Sequence, residues 1–277
     1  MKFVYFGYDS MLTVAVQLIE AGHELSGVMS FPCDQMFNFN HNCQALAKKY
    51  GASYIESPVS DIHIDSFLQK GVQLFVSAGY PYKIPYIDEG RAYGVNIHPS
   101  FLPYGRGVMP VPYILAERNR EAAGYTIHKL TSEFDAGDIL FQEHIALNDV
   151  ETVESYCAKI LTKAPLRMAK MTQEIADVWS AGKPQGEAKA MSYPMPSQEM
   201  RTLDWGHSVS DILNLQRAFG RYGSYGYFKG ALWNIYACDG WVEAHAYEAG
   251  DCIELQNNLA IIAVADGFIA LKEFSKA

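Results

Sequence analysis

The first part of the chain alternates short apolar runs with stretches whose apolar residues recur every three or four positions. Lys2 to Phe6 is β-branched and aromatic and stops at Gly7, the pattern of a buried strand. Met11, Val14, Leu18 and Ile19 then share one face of a helix, with Ser10 placed to cap it and Gly22 to end it. Glu24 to Ser30 reads as the second strand. Strand, helix and strand joined by short connections predict a right-handed βαβ unit and a parallel sheet. After a loop over Phe31 to Asn42, Cys43, Leu46, Ala47 and Tyr50 form a helical face that Gly51 closes. A short strand over Ser53 to Ile55 and a helix over Ile62 to Leu68 follow. Val72 to Ser77 is apolar almost throughout, as a strand buried on both faces must be.

Val95 to His98 continues the series as another central strand, and a helix follows from Pro110 or Pro112 to Arg118. Tyr125 to Leu130 has period two and puts Thr126, His128 and Leu130 on one face; Ile139 to Ile145 is the next strand. Helices are predicted from Thr152 through Ile160, and from Leu166 to Trp179 with a stop at Gly182 and Pro184. Residues 183–200 are rich in Gly, Pro, Ser and Met without a period, a linker composition. Beyond it the pattern changes. One helix spans Val209 to Phe219, then β runs cover Tyr225 to Phe228, Ala231 to Ala237, Cys252 to Leu255, Leu259 to Ala265 and Phe268 to Lys272. Lys229-Gly230, Asp239-Gly240, Asn257-Asn258 and Asp266-Gly267 separate them as turns. Such spacing predicts a small barrel or sandwich. The expected division is therefore 1–182, a linker at 183–200, and a β-rich domain at 201–277.

Composition narrows the chemistry. The 277 residues are 49% apolar and 19% charged, with a formal charge of −9. An acidic balance argues against broad nucleic-acid contact, which requires clustered Lys and Arg. The five cysteines, Cys33, Cys43, Cys157, Cys238 and Cys252, form no C-x-x-C pair, so a reducing cytoplasm and no metal are expected. His41 and Cys43 read as packing residues. Tyr8, Asp9 and Ser10 interrupt the N-terminal apolar run too early for a signal peptide, and no stretch suits a membrane helix. The first turn, Phe6-Gly7-Tyr8-Asp9-Ser10, has one Gly and is not the dinucleotide fingerprint. It reads as a tight turn or an anion-holding loop at a helix N-terminus.

The chemistry concentrates between Gly94 and Gln142. Asn96 and His98 occupy alternate positions at a strand end and point to one side together. Asp135 arrives 37 residues after His98 on a Gly-flanked loop. Read singly, each is an ordinary turn former or satisfied polar group. Together, a carboxamide, an imidazole and a carboxylate suit acyl transfer: the amide donates to a developing oxyanion, the imidazole moves or stabilises charge, and the carboxylate orients it. Ser100 lacks the G-x-S-x-G elbow of a serine nucleophile.

The run Asn96-Ile97-His98-Pro99-Ser100-Phe101-Leu102-Pro103, then Gly124-Tyr125-Thr126-Ile127-His128, then Asp135-Ala136-Gly137-Asp138-Ile139, resembles the folate-dependent formyltransferases. Phe101 replaces the commoner Leu, Gly105 stands where a Tyr often precedes Arg-Gly, and the Glu117 to Glu121 loop is about one residue longer than the family pattern. The resemblance implies a Rossmann-like parallel-sheet core with a smaller barrel-like C-terminal domain, and Asn96, His98 and Asp135 as catalytic residues. It implies 10-formyltetrahydrofolate as co-substrate, placed near Ala78, Gly79, Tyr80 and Asp138. Tyr8, Ser10, Arg106 and His128 fall on the substrate side; a buried, hydrogen-bonded structural histidine is the competing reading of His128. The resemblance is compatible with a homodimer and involves neither metal nor membrane.

The amine acceptor is a separate question. Residues 195–277 carry six Lys or Arg against ten Asp or Glu, a net of −4, which disfavours a tRNA grip. A nucleotide-linked amino sugar needs only a few cations and aromatic faces, for which Arg201, Arg217, Arg221, Lys229, Trp205, Tyr222 and Tyr225 are candidates. The expected acceptor is therefore a nucleotide sugar, with methionyl-tRNA formyltransferase the alternative. A formyltetrahydrofolate hydrolase and a non-catalytic folate-binding module would carry the same motifs.

Overall fold

The apolar runs of the first part become one seven-stranded sheet with the order β3-β2-β1-β4-β5-β6-β7. In chain order, β1 (Lys2–Gly7), α1 (Thr13–Glu20), β2 (Glu24–Ser30), α2 (His41–Tyr50), β3 (Ser53–Glu56), α3 (Asp61–Gln69), β4 (Val72–Ala78) and β5 (Tyr93–His98) build its parallel part. These are followed by α4 (Pro110–Ala116), β6 (Gly124–Lys129), β7 (Ile139–His144), α5 (Val153–Leu161), α6 (Ala164–Met171) and α7 (Ile175–Ser180). This computed structural model describes residues 1–35, 38–256 and 258–277. Met36 and Phe37 of the predicted loop, and Asn257 of a predicted turn pair, lie outside that set.

The expected parallel sheet is formed by β1 to β5, and two antiparallel strands extend it: β5 pairs antiparallel with β6, and β6 antiparallel with β7. The chain leaves β5 at His98 and enters β6 at the same end, so His98 faces Thr126 and Asn96 faces His128. The sheet core includes Val4, Phe6, Met29, Ile64, Phe67 and Phe75. Full burial of such side chains stabilises by about 1.5–3 kcal/mol each.

Ser10 does not cap α1. It is exposed in a one-turn 3-10 helix, Asp9–Met11, and α1 starts at Thr13 without a side-chain cap. Asp9 instead caps α2, its carboxylate accepting from the backbone N–H groups of Asn42 (3.1 Å) and Cys43 (2.9 Å). A carboxylate on such first-turn donors is worth roughly 1 kcal/mol. Cys43 is buried as expected, whereas His41 is exposed. The helix expected to run to Trp179 is broken by a 3-10 turn, Thr172–Glu174.

The chain divides into two compact units: Met1–Pro110, Glu121–Ala146 and Cys157–Tyr193 form one, and Val111–Arg120, Leu147–Tyr156 and Pro194–Ala277 the other. The second contains α8 (Val209–Phe219), β8 (Ser224–Phe228), β9 (Ala231–Val242), β10 (Cys252–Gln256), β11 (Leu259–Val264) and β12 (Gly267–Lys276). The strands form an antiparallel sheet of order β10-β11-β12-β9-β8, with no β10–β8 closure among the described residues. Val209 and Ile212 of α8 pack with Ile235, Ile262, Ile269 and Leu271. Lys229 and Gly230 both have positive φ (47° and 69°), as a type I′ hairpin requires. Asp239-Gly240, expected to turn, lies inside β9 opposite Ala270 and Ile269, because β9 stays paired with β12 through Val242.

Candidate active site

Three nitrogens converge on one carboxylate oxygen. Asn96 Nδ2 lies 3.2 Å, His98 Nδ1 3.3 Å and His128 Nε2 3.5 Å from Asp135 Oδ1. The other oxygen, Oδ2, accepts from the Gly107 backbone N–H at 2.9 Å. Register produces this grouping. Asn96 and His98 project from the same face of β5, and β6 sets His128 beside Asn96. The chain between β6 and β7 then carries Asp135 back over the strand ends. His98 is 4% exposed, His128 2% and Asp135 8%.

Hydrogen bonding assigns the protons. His98 Nε2 lies 2.7 Å from the Gly105 carbonyl oxygen and therefore donates to it, which leaves Nδ1 as the basic atom facing Asp135. His128 Nδ1 donates to the Lys129 carbonyl at 2.8 Å, so its Nε2 accepts from Asn96 Nδ2 at 3.1 Å. His128 is thus buried and hydrogen-bonded, as its competing reading has it, and it orients the Asn96 amide. Burial drives the His98 pKa below its ordinary value, against the opposing pull of Asp135 and the Gly105 carbonyl. Burial acts to raise Asp135, but in acid the imidazolium forms of His98 and His128 that would face it, together with the Gly107 N–H, outweigh burial and hold the carboxyl well below the usual range. Its ionised form therefore stabilises the fold above the ordinary value of 3.8, and that contribution is lost as pH falls through and below that value. Asp135→Asn should consequently narrow the difference in urea midpoint between pH 7 and pH 3. An unchanged difference would show that Asp135 is not the group responsible.

The loop after β5 is fastened independently. Thr126 Oγ1 donates to the Ser100 carbonyl (2.7 Å) and accepts from the Leu102 N–H (3.0 Å) and from Gln142 Nε2 (3.1 Å). Ser100 Oγ donates to the Tyr104 carbonyl at 2.7 Å, a structural use with no base aligned on it. The segment with linker composition folds back onto the same loop. Arg106 N–H donates to Met191 O, Tyr193 N–H to Arg106 O, and Met191 N–H to Pro103 O. Gln185 Nε2 donates to the carbonyls of Asp135 (2.7 Å) and Gly137 (2.8 Å). Sequence reasoning missed Gly105, Gly107 and Gln185, two of which act through backbone atoms; Gln185, between Pro184 and Gly186, carries no signal of a role.

The other expected site residues are placed differently. Arg106 is committed to Gln185 Oε1 and to the exposed Glu187, its Nη2 lying 2.7 Å from Glu187 Oε1. Asp138 pairs with Lys129 at 3.1 Å. The Tyr80 hydroxyl donates to Ser57 O and accepts from the Val59 N–H, and its ring packs on Phe6. Ala78 is fully buried, while Gly79 is exposed at the carboxyl end of β4 with φ +76°. The Tyr8 ring covers Gly79 so closely that a Cβ there would come within 2.7 Å of it. Gly79, Tyr8 and the end of β1 flank the point where strand order reverses between β1 and β4, the usual ligand crevice of open α/β sheets.

In the second unit, Arg201 donates to the carbonyls of Tyr222 and Gly223 and stacks on Tyr225, so it fastens a 3-10 turn. Trp205 is 7% exposed and donates to Tyr227 O at 2.8 Å, leaving no free face for a base. Arg217 and Arg221 line a cavity of about 380 Å³ together with Glu154, Gln216, Tyr236 and Glu273.

A Rossmann-like sheet whose fifth strand ends in Asn96 and His98, met there by a buried carboxylate, defines the class: an α/β protein with a carboxamide–imidazole–carboxylate site. A family model described as formyl transferase matches residues 45–172, which span α2 to the 3-10 turn after α6 and include this whole cluster. Over this stretch the chain is similar to formyl transferases. It is 36% identical over 126 residues to a methionyl-tRNA formyltransferase of Treponema denticola, covering 46% of this chain and 39% of that protein. Among solved structures it resembles HypX from Aquifex aeolicus in complex with tetrahydrofolic acid (TM-score 0.68, 17% identity), covering 100% of this chain and 44% of that one. It also resembles an N-formyltransferase from Helicobacter canadensis in complex with folinic acid and dTDP-3-aminofucose (TM-score 0.69, 14% identity), over 100% of this chain and 99% of that one. The chain thus spans less than half the length of the first two. Among the described residues no helix is long and apolar enough to cross a membrane.

Proposed function

We propose that the protein transfers a formyl group from 10-formyltetrahydrofolate to the amine of a nucleotide-linked amino sugar. The observation that carries the chemistry is the convergence of Asn96, His98 and Asp135 at one buried point. The amine attacks the formyl carbon as its N–C bond forms, and negative charge grows on the formyl oxygen. Asn96 Nδ2 donates to that oxygen, which competes for the amide hydrogens that Asp135 and His128 now hold. A carboxylate held as low as Asp135 is a poor base, so it does not itself take the proton from the amine. His98 Nδ1, neutral through burial, receives it directly or through water, and Asp135 stabilises the imidazolium. The C–N10 bond then breaks and His98 returns the proton to the departing folate nitrogen. The folate is assigned to the β1/β4 crevice, beside Gly79 and the Tyr8 ring that packs on it.

Two features favour a nucleotide sugar. Residues 195–277 carry a net of −4, and the fold matches end to end that of a protein whose structure holds folinic acid and a dTDP-linked amino sugar. A tRNA grip would require several phosphate contacts and steep salt dependence. The second reading, methionyl-tRNA formylation, is favoured by the name of the Treponema relative. Incubation with 10-formyltetrahydrofolate and a panel of amino-sugar nucleotides should yield a formylated sugar by mass spectrometry, with charged initiator tRNA unmodified at equal protein concentration. Efficient formylation of the tRNA with every nucleotide sugar inert would overturn the acceptor assignment. Formate release with no acceptor present would instead mark a hydrolase.

A further inference from the structure

We infer that Gln185, which lies outside the stretch matched by the family model, is a positioning residue of the active site that acts through Asp135. The inference rests on the formyl-transfer reading above. Asp135 has φ 53°, a left-handed conformation that costs a non-glycine residue about 1 kcal/mol or more. A residue in that conformation stays there only if its surroundings hold it. Gln185 supplies the hold from the backbone side, with both N–H bonds of one amide directed at Asp135 O and Gly137 O. The same amide cannot rotate freely, because its Oε1 accepts from Arg106 Nε (3.1 Å) and Nη2 (2.9 Å). Arg106 is fixed in turn by Glu187 and by backbone bonds to Met191 and Tyr193. Its neighbour Gly107 donates to Asp135 Oδ2. Asp135 is therefore gripped twice from one assembly: its main chain by Gln185 and its carboxylate by Gly107.

The arrangement explains why Arg106 is not free for an anionic substrate group: its guanidinium orients the Gln185 amide. It also gives residues 183–193 a purpose that a flexible tether would not have. A sub-ångström drift of the Asp135 loop would pull its carboxylate away from His98 Nδ1, and misplacement of about 1 Å in a reacting constellation costs roughly 100-fold in rate.

The test uses Gln185→Ala and Gln185→Glu in the full chain. The glutamate variant keeps an acceptor for Arg106 but turns a second oxygen toward the two carbonyls, so it preserves the outer anchor while removing the inner one. Both variants should lower kcat by about 10- to 100-fold with KM for either substrate changed less than about twofold. In the Asp135→Asn background the same substitutions should add almost nothing, since the step they support is already lost. Hydrogen exchange at the Gly107 amide should quicken in Gln185→Ala without activity being measured at all. Full turnover in both variants, equal losses with and without Asp135, or unchanged Gly107 exchange would each overturn the role. If the wild-type chain formylates no acceptor, the functional proposal fails, and the exchange measurement still decides whether Gln185 holds Asp135.

Discussion

Replacing Asn96, His98 or Asp135 with alanine is expected to reduce turnover by at least about 100-fold each, the scale of losing an oxyanion donor or an acid–base group. The three losses should not multiply. Asn96 and His98 both meet Asp135 Oδ1, so removal of Asp135 also releases the other two, and a double variant should be little worse than the poorer single one. Stability will separate them. Asp135→Ala leaves the Gly107 N–H without its acceptor and the Asn96 amide with His128 alone, at roughly 1–3 kcal/mol for a buried unsatisfied group. Asp135→Asn keeps the shape and is the cleaner probe of chemistry. Steady-state rates with matched melting curves check this, and near-normal turnover in any two of the alanine variants would sink the mechanism.

Gly137→Ala is expected to be among the most damaging single changes to the fold, at roughly 3 kcal/mol or more. A Cβ on Gly137 would lie 2.0 Å from the Lys129 carbonyl oxygen and 2.8 Å from its carbon, and both are backbone atoms of a strand that cannot swing aside. Relief requires parting the chain at the hairpin, where the Lys129 N–H donates to Asp138 O. Since Gln185 also holds the Gly137 carbonyl, the displacement would reach Asp135 two residues earlier. Chemical denaturation should show a lower midpoint, and turnover should fall further than the folded fraction alone explains. A variant as stable as the parent would mean that the approach of Gly137 to Lys129 is looser than described.

Much of this was readable from residue pattern, and what was missed has specific causes. The apolar runs at Val4 to Phe6 and Leu74 to Val76 fix strands because only burial on both faces accommodates them. Asn-x-His at a strand end gives two side chains on one face by pleat alone. Strand direction after β5 was not legible, since alternation in Tyr125 to Leu130 is the same whichever way the neighbour runs. Ser10 looked like a cap because capping residues are short and polar, but Asp9, one position earlier, reached a different helix 33 residues away. Arg201 and Trp205 looked available for a ligand because sequence does not reveal that carbonyls of Tyr222, Gly223 and Tyr227 claim them first. Gln185 was hidden for a plainer reason: irregular segments are called linkers by composition, and hydrogen bonds from a single amide leave no period.

The antiparallel turn from β5 into β6 has a consequence for how such chains tolerate change in length. His98 opposite Thr126 and Asn96 opposite His128 are fixed by ladder hydrogen bonds, whereas residues between them leave and re-enter the sheet at one end. Extra residues near Glu117 to Glu121 lengthen an excursion whose closure cost grows only logarithmically, by about 0.6 kcal/mol per doubling. A single residue inserted inside β6 would instead rotate Thr126 and His128 to opposite faces and strip Asn96 of its partner. Insertions and deletions should therefore accumulate in the excursion and be purged from the few residues on either side of it.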